Sequence, residues 1–379
     1  MRDSHRPWLA LAGLTAVLVA FRVAWILFVP DVDMDAYGHF SSARGLCSQP
    51  WNLGLHWVWL PLYHFLLTAL ACTKTHFGVA RILSACFIAA LPLVVYAYDH
   101  RGTRDRERTA FLAAIACALA AIPSVIGVSA QQESLFSTCI LVAAWAIDAR
   151  RYRSAGLLLA AACLIRYEAW GAAGLVLAQS VLLRISKRFR LTPEWLRSME
   201  PLSIAVAIPP AIAIAGWVLV HRWVDGAWFV FLDELYRYTH AQRQVLSHGL
   251  VMEALWFPVL LPLLYFGPLV LLAPFGLKTA LQPGWILPIG IYGFLIVSYL
   301  GGGVLGGQRY YGSLAAFICI AMAHGIDQFA QHPRLHRFAK RALLSTVVIS
   351  TAVALTRTGR TASNQATALR AAEARMNAR

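Results

Sequence analysis

Apolar residues in this chain come in long runs separated by short polar breaks. A helix needs roughly 17–25 apolar residues to cross a bilayer. Read at that length, the runs place spans at 8–29, 78–98, 109–128, 133–149, 154–166, 168–184, 202–221, 253–277, 284–300, 310–328 and 342–356. The expected fold is an all-α polytopic membrane protein of about eleven spans. It has one transmembrane domain over 1–356 and a polar, basic tail over 357–379. The segment 154–166 has 13 residues, roughly 20 Å at helical rise, too short to cross fully. It ends in Arg166-Tyr167-Glu168 and reads with 168–184 as two short helices meeting at a charged break. Two segments between spans are long. The first, about 30–77, contains the aromatic-capped run His56 to Leu67, which reads as a helix lying in the membrane interface. The second, about 222–252, is again aromatic and holds Asp233, Glu234, Tyr236, Arg237, Tyr238 and His240.

Composition agrees with this class. Hydrophobic residues make up 59% and charged residues 13%, against about a quarter charged in soluble domains. The net charge of +15 invites a nucleic-acid partner. Its distribution argues against one, because Lys and Arg lie in short clusters between apolar runs. With the N-terminus inside, 19 of the 33 Lys+Arg fall on inner segments, including 99–108, 149–153, 184–198 and 329–341. This asymmetry fixes the orientation and puts the first long loop outside. An odd span count puts the tail outside too; a last segment too short to span would leave it inside. The N-terminal apolar run is too long for a signal h-region, carries Arg22 and is followed by no small-x-small site. The seven cysteines show no CxxC pair, so no metal knuckle or disulfide framework is implied. Cys47 and Cys72 both fall in the first loop, where a bridge between them is open.

The chain has 18 Asp+Glu, and three of them stand in Asp31-Val32-Asp33-Met34-Asp35, directly after the first span. Spaced by two in an extended segment, Asp33 and Asp35 face the same way, as a proton acceptor or as holders of a divalent cation. Tyr37 and His39 extend the cluster, whereas Asp31 alone reads as a solvated helix end. Charges in or near spans suggest function. Arg22 is either snorkelling to the interface or part of the site. Arg166 and Glu168 are either a local ion pair or part of the site. Glu133, after Gln131-Gln132, is favoured by a helix N-terminus. Arg309-Tyr310 follows a glycine-rich segment, Gly301 to Gly307, which permits close backbone approach to a ligand but has no GK[ST]. His56, His64, His221, His240 and His248 are scattered, with no HExxH, so no zinc site is implied.

These residues together resemble the GT-C superfamily of membrane glycosyltransferases, closest to the protein O-mannosyltransferase and lipid A aminoarabinose transferase branch. The resemblance rests on Asp33-Met34-Asp35-Ala36-Tyr37, Leu60-Pro61-Leu62-Tyr63, Phe77 to Leu83 with Arg81, Leu164 to Glu168, and Arg309-Tyr310. Where family members often have Asp-Glu, this chain has Asp35-Ala36, which leaves the base open between Asp35 and Asp33. The resemblance implies inverting transfer from a polyprenyl-phosphate-linked sugar to a glycan, lipid or protein hydroxyl on the outer face of the cell membrane. It makes Asp35 the general base, with Asp33 supporting it or a cation. Arg309 and Arg166 would bind the lipid phosphate, Glu168 would orient Arg166, and Tyr63 and His64 would line the pocket. A multi-pass transporter of envelope lipid or sugar is the first alternative, suggested by the break at 166–168 but not by any internal repeat. A non-catalytic scaffold of envelope biogenesis is the second, and it has no need of clustered carboxylates.

Overall fold

A computed structural model of the chain describes residues 6–56, 58–73, 75–100, 104–189, 202–246, 255–303, 308–329 and 333–378. The expectations that involve Trp57, Lys74, residues 190–201, 247–254 or the end of the glycine-rich segment, 304–307, lie outside the described residues. Among the described residues the fold is helical, with no strand.

The first span is α1, Arg6–Phe28, which ends where Pro30 bars continuation. The long segment that follows α1 contains two short helices, α2 (Met34–Ser48) and α3 (Pro61–Ala71). Pro61 opens α3 at a position where its missing N–H is not needed. A disulfide joins Cys47, at the end of α2, to Cys72, just past α3. Then follow α4 (Phe77–His100), α5 (Arg104–Leu119), α6 (Ala121–Ile126), α7 (Glu133–Asp148), α8 (Tyr152–Cys163) and α9 (Glu168–Phe189). The second half contains α10 (Ile204–Val224), the amphipathic α11 (Val230–Leu246), α12 (Leu261–Phe266), α13 (Ala273–Ala280), α14 (Ile286–Leu300), α15 (Gly312–Phe329), α16 (Pro333–Asn364) and α17 (Ala366–Ala378).

Among the described residues, five helical segments are long and apolar enough to cross a membrane: 7–28, 77–100, 204–224, 283–300 and 309–329. Leu9, Val17, Leu27, Ile212 and Val297 are among the large apolar side chains that these segments leave exposed. Outward apolar surface of this kind needs a nonaqueous neighbour, and the protein is a membrane protein.

Several expected spans have different shapes. The run at 253–277 is not one rod: Trp256–Phe266 and Pro268–Ala280 meet at 115°. The break falls at Gly267, whose φ of 68° suits glycine. The run at 109–128 divides at Ala120 into α5 and the short α6, which contains Pro123. The break after α8 is present, but its partner α9 has 22 residues and is not short. The expected tail boundary at 356 is no break, since α16 continues to Asn364. The tail's end lies on the same side of the bundle as Asp31, whose N–H donates to Glu373 (3.1 Å).

The core runs along α4, α5, α7 and α15. Small residues let its helices approach closely. A Cβ on Gly290 of α14 would lie 2.7 Å from the Ala172 Cα of α9, and one on Gly171 would lie 2.8 Å from the Gly290 carbonyl. Contacts this close are what membrane helices use to associate. Gly290→Val should therefore force α9 and α14 apart, at a cost of roughly 1–3 kcal/mol, read as a lower thermal midpoint in detergent; an unchanged midpoint would contradict the packing. Reducing the Cys47–Cys72 bridge, which closes a loop of 25 residues, should cost up to about 3 kcal/mol by chain entropy.

Candidate active site

The Asp-x-Asp-x-Asp spacing has a local reason. Asp31 Oδ1 accepts from the Asp33 N–H (3.1 Å), and Asp33 Oδ1 accepts from the Asp35 N–H (2.9 Å). Each carboxylate caps the backbone of the next, the turn habit of aspartate. Asp33 is thereby the N-cap of α2, and Asp35 sits in the helix's first turn. Asp33 and Asp35 thus do not share one extended segment, as the spacing alone suggested.

Asp31 is no solvated end either. It is buried, and its carboxylate accepts from the Ser129 hydroxyl (2.9 Å) and the Ala130 N–H (3.0 Å), with Arg81 Nε at 3.6 Å. Arg81 also donates to the carbonyls of Val128 and Val29 (both 2.8 Å). Tyr37 donates to the Asp31 carbonyl (2.8 Å) and stacks on Phe77, so it braces the loop. Arg22 does not snorkel: it is 2% exposed and lies against Gly127, at the end of α6.

The expected charges meet in one place. Arg166 pairs with Glu133 and makes a fork to Glu168 (Nε to Oε1 and Oε2, 3.0 and 3.1 Å; Nη2 to Oε1, 2.6 Å). Arg309 pairs with Asp35, and its Nε lies 3.9 Å from Glu133. Both guanidiniums flank the Tyr310 ring, at 5.2 and 5.7 Å from its centroid. Gln131 donates to Asp33. Burial pushes the Asp33 carboxyl up to about 7; Asp35, Asp31 and Glu133 push the same way, and Arg309 opposes them. The network holds two cations and four carboxylates, Asp33, Asp35, Glu133 and Glu168. As for a divalent cation, no group of three or more His, Cys, Asp or Glu side chains among the described residues is arranged to hold one. Asp33 and Asp35 are each already engaged.

Two cavities meet at this network. The larger, about 490 Å³, is lined by Asp35, Arg166, Glu168, Arg309 and Tyr310 and by the aromatics Trp59, Tyr167, Trp170, Tyr236 and Tyr238. The smaller, about 420 Å³, is lined by Asp31, Asp33, Arg81, Gln131, Tyr265, Arg309 and Tyr310. Four of the expected residues stand elsewhere. Tyr37, His39, Tyr63 and His64 are all at most 4% exposed, and they line neither cavity. They lie behind the wall, His39 covered by the Trp59 indole at 4.2 Å.

Asp31, Arg81 and Gln131 complete the centre, but sequence reasoning gave them no part in the site. Arg81 had a signal, a charge inside a span; Gln131 had none. The aromatic wall supplied by α11 was visible only as composition. No family model matches the chain, and no curated protein matches it.

Asp33 yields a pH prediction. Its folded value near 7 exceeds the usual 3.8, so the folded state keeps a proton that the unfolded chain has lost in between. The stability it contributes is full below about pH 4 and is lost as the pH rises through about 7. The thermal midpoint of Asp33→Asn should then fall less than the wild type's between pH 5 and 8, and equal falls would contradict the assignment. Arg166→Met should destabilise by roughly 3–5 kcal/mol, because it leaves Glu133 and Glu168 buried without their cation.

Proposed function

We propose that the protein is a GT-C-type glycosyltransferase of about eleven spans, with its active site on the extracytoplasmic face of the cell membrane. It would move a sugar from a polyprenyl-phosphate carrier to an acceptor hydroxyl. The observation that carries this reading is the Asp35–Arg309 pair, set in the wall between two cavities. A two-substrate transfer needs one chamber for each reactant and a base between them. Orientation is supported by the basic inner segments. The Cys47–Cys72 bridge, at the far end of the helix that the acidic motif opens, fits an oxidising compartment.

In this reading the sugar phosphate enters the larger cavity, where Trp and Tyr rings stack on the sugar. Its phosphate takes over Arg309, which releases Asp35. The freed carboxylate accepts the acceptor's proton as the oxygen attacks the anomeric carbon from the face opposite the phosphate. The bond to phosphate breaks with inversion, and the leaving phosphate keeps the electron pair beside Arg309 and Arg166. Glu133 and Glu168 hold Arg166 in place. The polyprenyl chain lies between helices. Mannose, aminoarabinose and other sugars are equally compatible with the motifs.

Asp35→Asn, assayed in nanodiscs with radiolabelled polyprenyl-phosphate sugars, should lose about 10²–10⁴-fold in transfer rate while still binding donor. Arg309→Lys should weaken donor binding, since lysine lacks the fork for phosphate. Unimpaired transfer in both Asp35→Asn and Asp33→Asn would remove the basis of the reading.

A further inference from the structure

Behind the cavity wall lies a row of buried histidines that the transfer mechanism does not use. His39 Nδ1 is 2.8 Å from His64 Nε2, and His64 Nδ1 is 2.9 Å from His56 Nδ1. All three rings are at most 2% exposed. The row starts on α2 one helical turn beyond Asp35, so His39 and Asp35 share a face. At its other end His56 packs on Trp217 (ring centroids 5.6 Å), and Trp217 packs on His221 (4.5 Å). His221 Nδ1 bonds Asp225 (2.5 Å), whose side chain is 29% exposed. Three ring nitrogens on these neighbouring rings are buried without a partner: His56 Nε2, Trp217 Nε1 and His221 Nε2. Buried polar atoms without a protein partner ordinarily bond a buried water.

Holding the helices together does not account for the row. The Cys47–Cys72 bridge and the Thr68 hydroxyl on the Ala43 carbonyl (3.2 Å) already join α2 to α3. Nor do the rings form a metal site, because both nitrogens of His64 point at different histidines instead of converging with them on one centre.

The chemistry of the row is directional. A neutral imidazole has one N–H and one lone pair, so His64 donates to one neighbour and accepts from the other. In one arrangement His39 donates to His64, His64 donates to His56, and His56 carries its proton on Nε2. A proton arriving at His39 Nε2 lets the Nδ1 proton pass to His64 Nε2. The His64 Nδ1 proton passes to His56, and the His56 Nε2 proton leaves. One proton enters, one departs, and each ring ends neutral. The rings then reorient to restore the first arrangement. Burial holds His39 and His64 well below the usual histidine range and His56 at about 4, so none of them traps the proton. The charged or titratable groups acting on the row are Arg166, Arg309 and Tyr63 at the His39 end, and His221 and Asp225 at the other.

We propose that His39, His64 and His56, continued through a water held by Trp217 to His221 and Asp225, carry the proton taken up by Asp35 out to solvent. This rests on the transferase reading. These histidines touch no substrate and are relay residues.

The test is transfer by the full chain in nanodiscs with His64→Ala and His64→Gln. In weak buffer both should fall about tenfold or more, with donor affinity unchanged. Added imidazole should restore His64→Ala and leave the wild type unaffected. Full activity in both variants, or a loss that imidazole and buffer concentration do not move, would overturn the relay. If the wild type transfers nothing from any donor, the transferase reading fails separately. The relay is then judged by nitrogen NMR of histidine-labelled protein. At neutral pH all three rings should be neutral with matched tautomers, His64 donating to one neighbour and accepting from the other, and His64→Gln should change the tautomer populations of both His39 and His56; neighbours whose tautomers do not respond to the substitution would overturn it.

Discussion

The site depends on the need to neutralise two arginines, Arg166 buried in the wall and Arg309 half-buried between the two cavities. Arg166 cannot be buried alone, because an unpaired guanidinium in a low-dielectric interior costs several kcal/mol. The partners of the two arginines come from four stretches of chain: the start of α2 (Asp33, Asp35), the start of α7 (Glu133), the break before α9 (Glu168) and the turn before α15 (Tyr310). Closing this network brings those stretches to one point. The break between α8 and α9 exists where the pair Arg166–Glu168 turns inward, and the α3 start is fixed to it by the Leu62 N–H on the Leu164 carbonyl (2.9 Å).

The same network gives the site its chemistry. Four carboxylates around two guanidiniums leave an excess of negative charge, which is part of what raises Asp33. In the proposed transfer, an arriving phosphate would compete for Arg309 with Asp35, so that donor binding and unmasking of the base would be one event, and the resting pair would hold the base inactive until a donor is present. The two chambers that share Arg309 and Tyr310 would then keep the reactants apart except at that point.

Much of this was legible in the sequence, for physical reasons. Long apolar runs marked the helical membrane class, and charges next to those runs marked Asp35, Glu133, Arg166, Glu168 and Arg309, because such charges are expensive unless used. Hydropathy alone did not give shapes. It could not place the bend at Gly267 or the division at Ala120, since a window average is blind to one glycine or proline. It read Asp31 as solvated because the ligands of its carboxylate, Ser129 and Ala130, lie almost a hundred residues away. The histidine row was invisible for the same reason: His39, His56 and His64 have no metal-ligand spacing, and only the docking of α2 on α3 aligns them.

The most direct test of the central claim is a cryo-electron microscopy structure of the protein in nanodiscs with a polyprenyl-phosphate sugar bound. The account predicts the phosphate on Arg309, the sugar against the Trp and Tyr rings of the larger cavity, and the Asp35 carboxylate parted from the guanidinium. A donor bound elsewhere, or one bound with the Asp35–Arg309 pair intact, would contradict it.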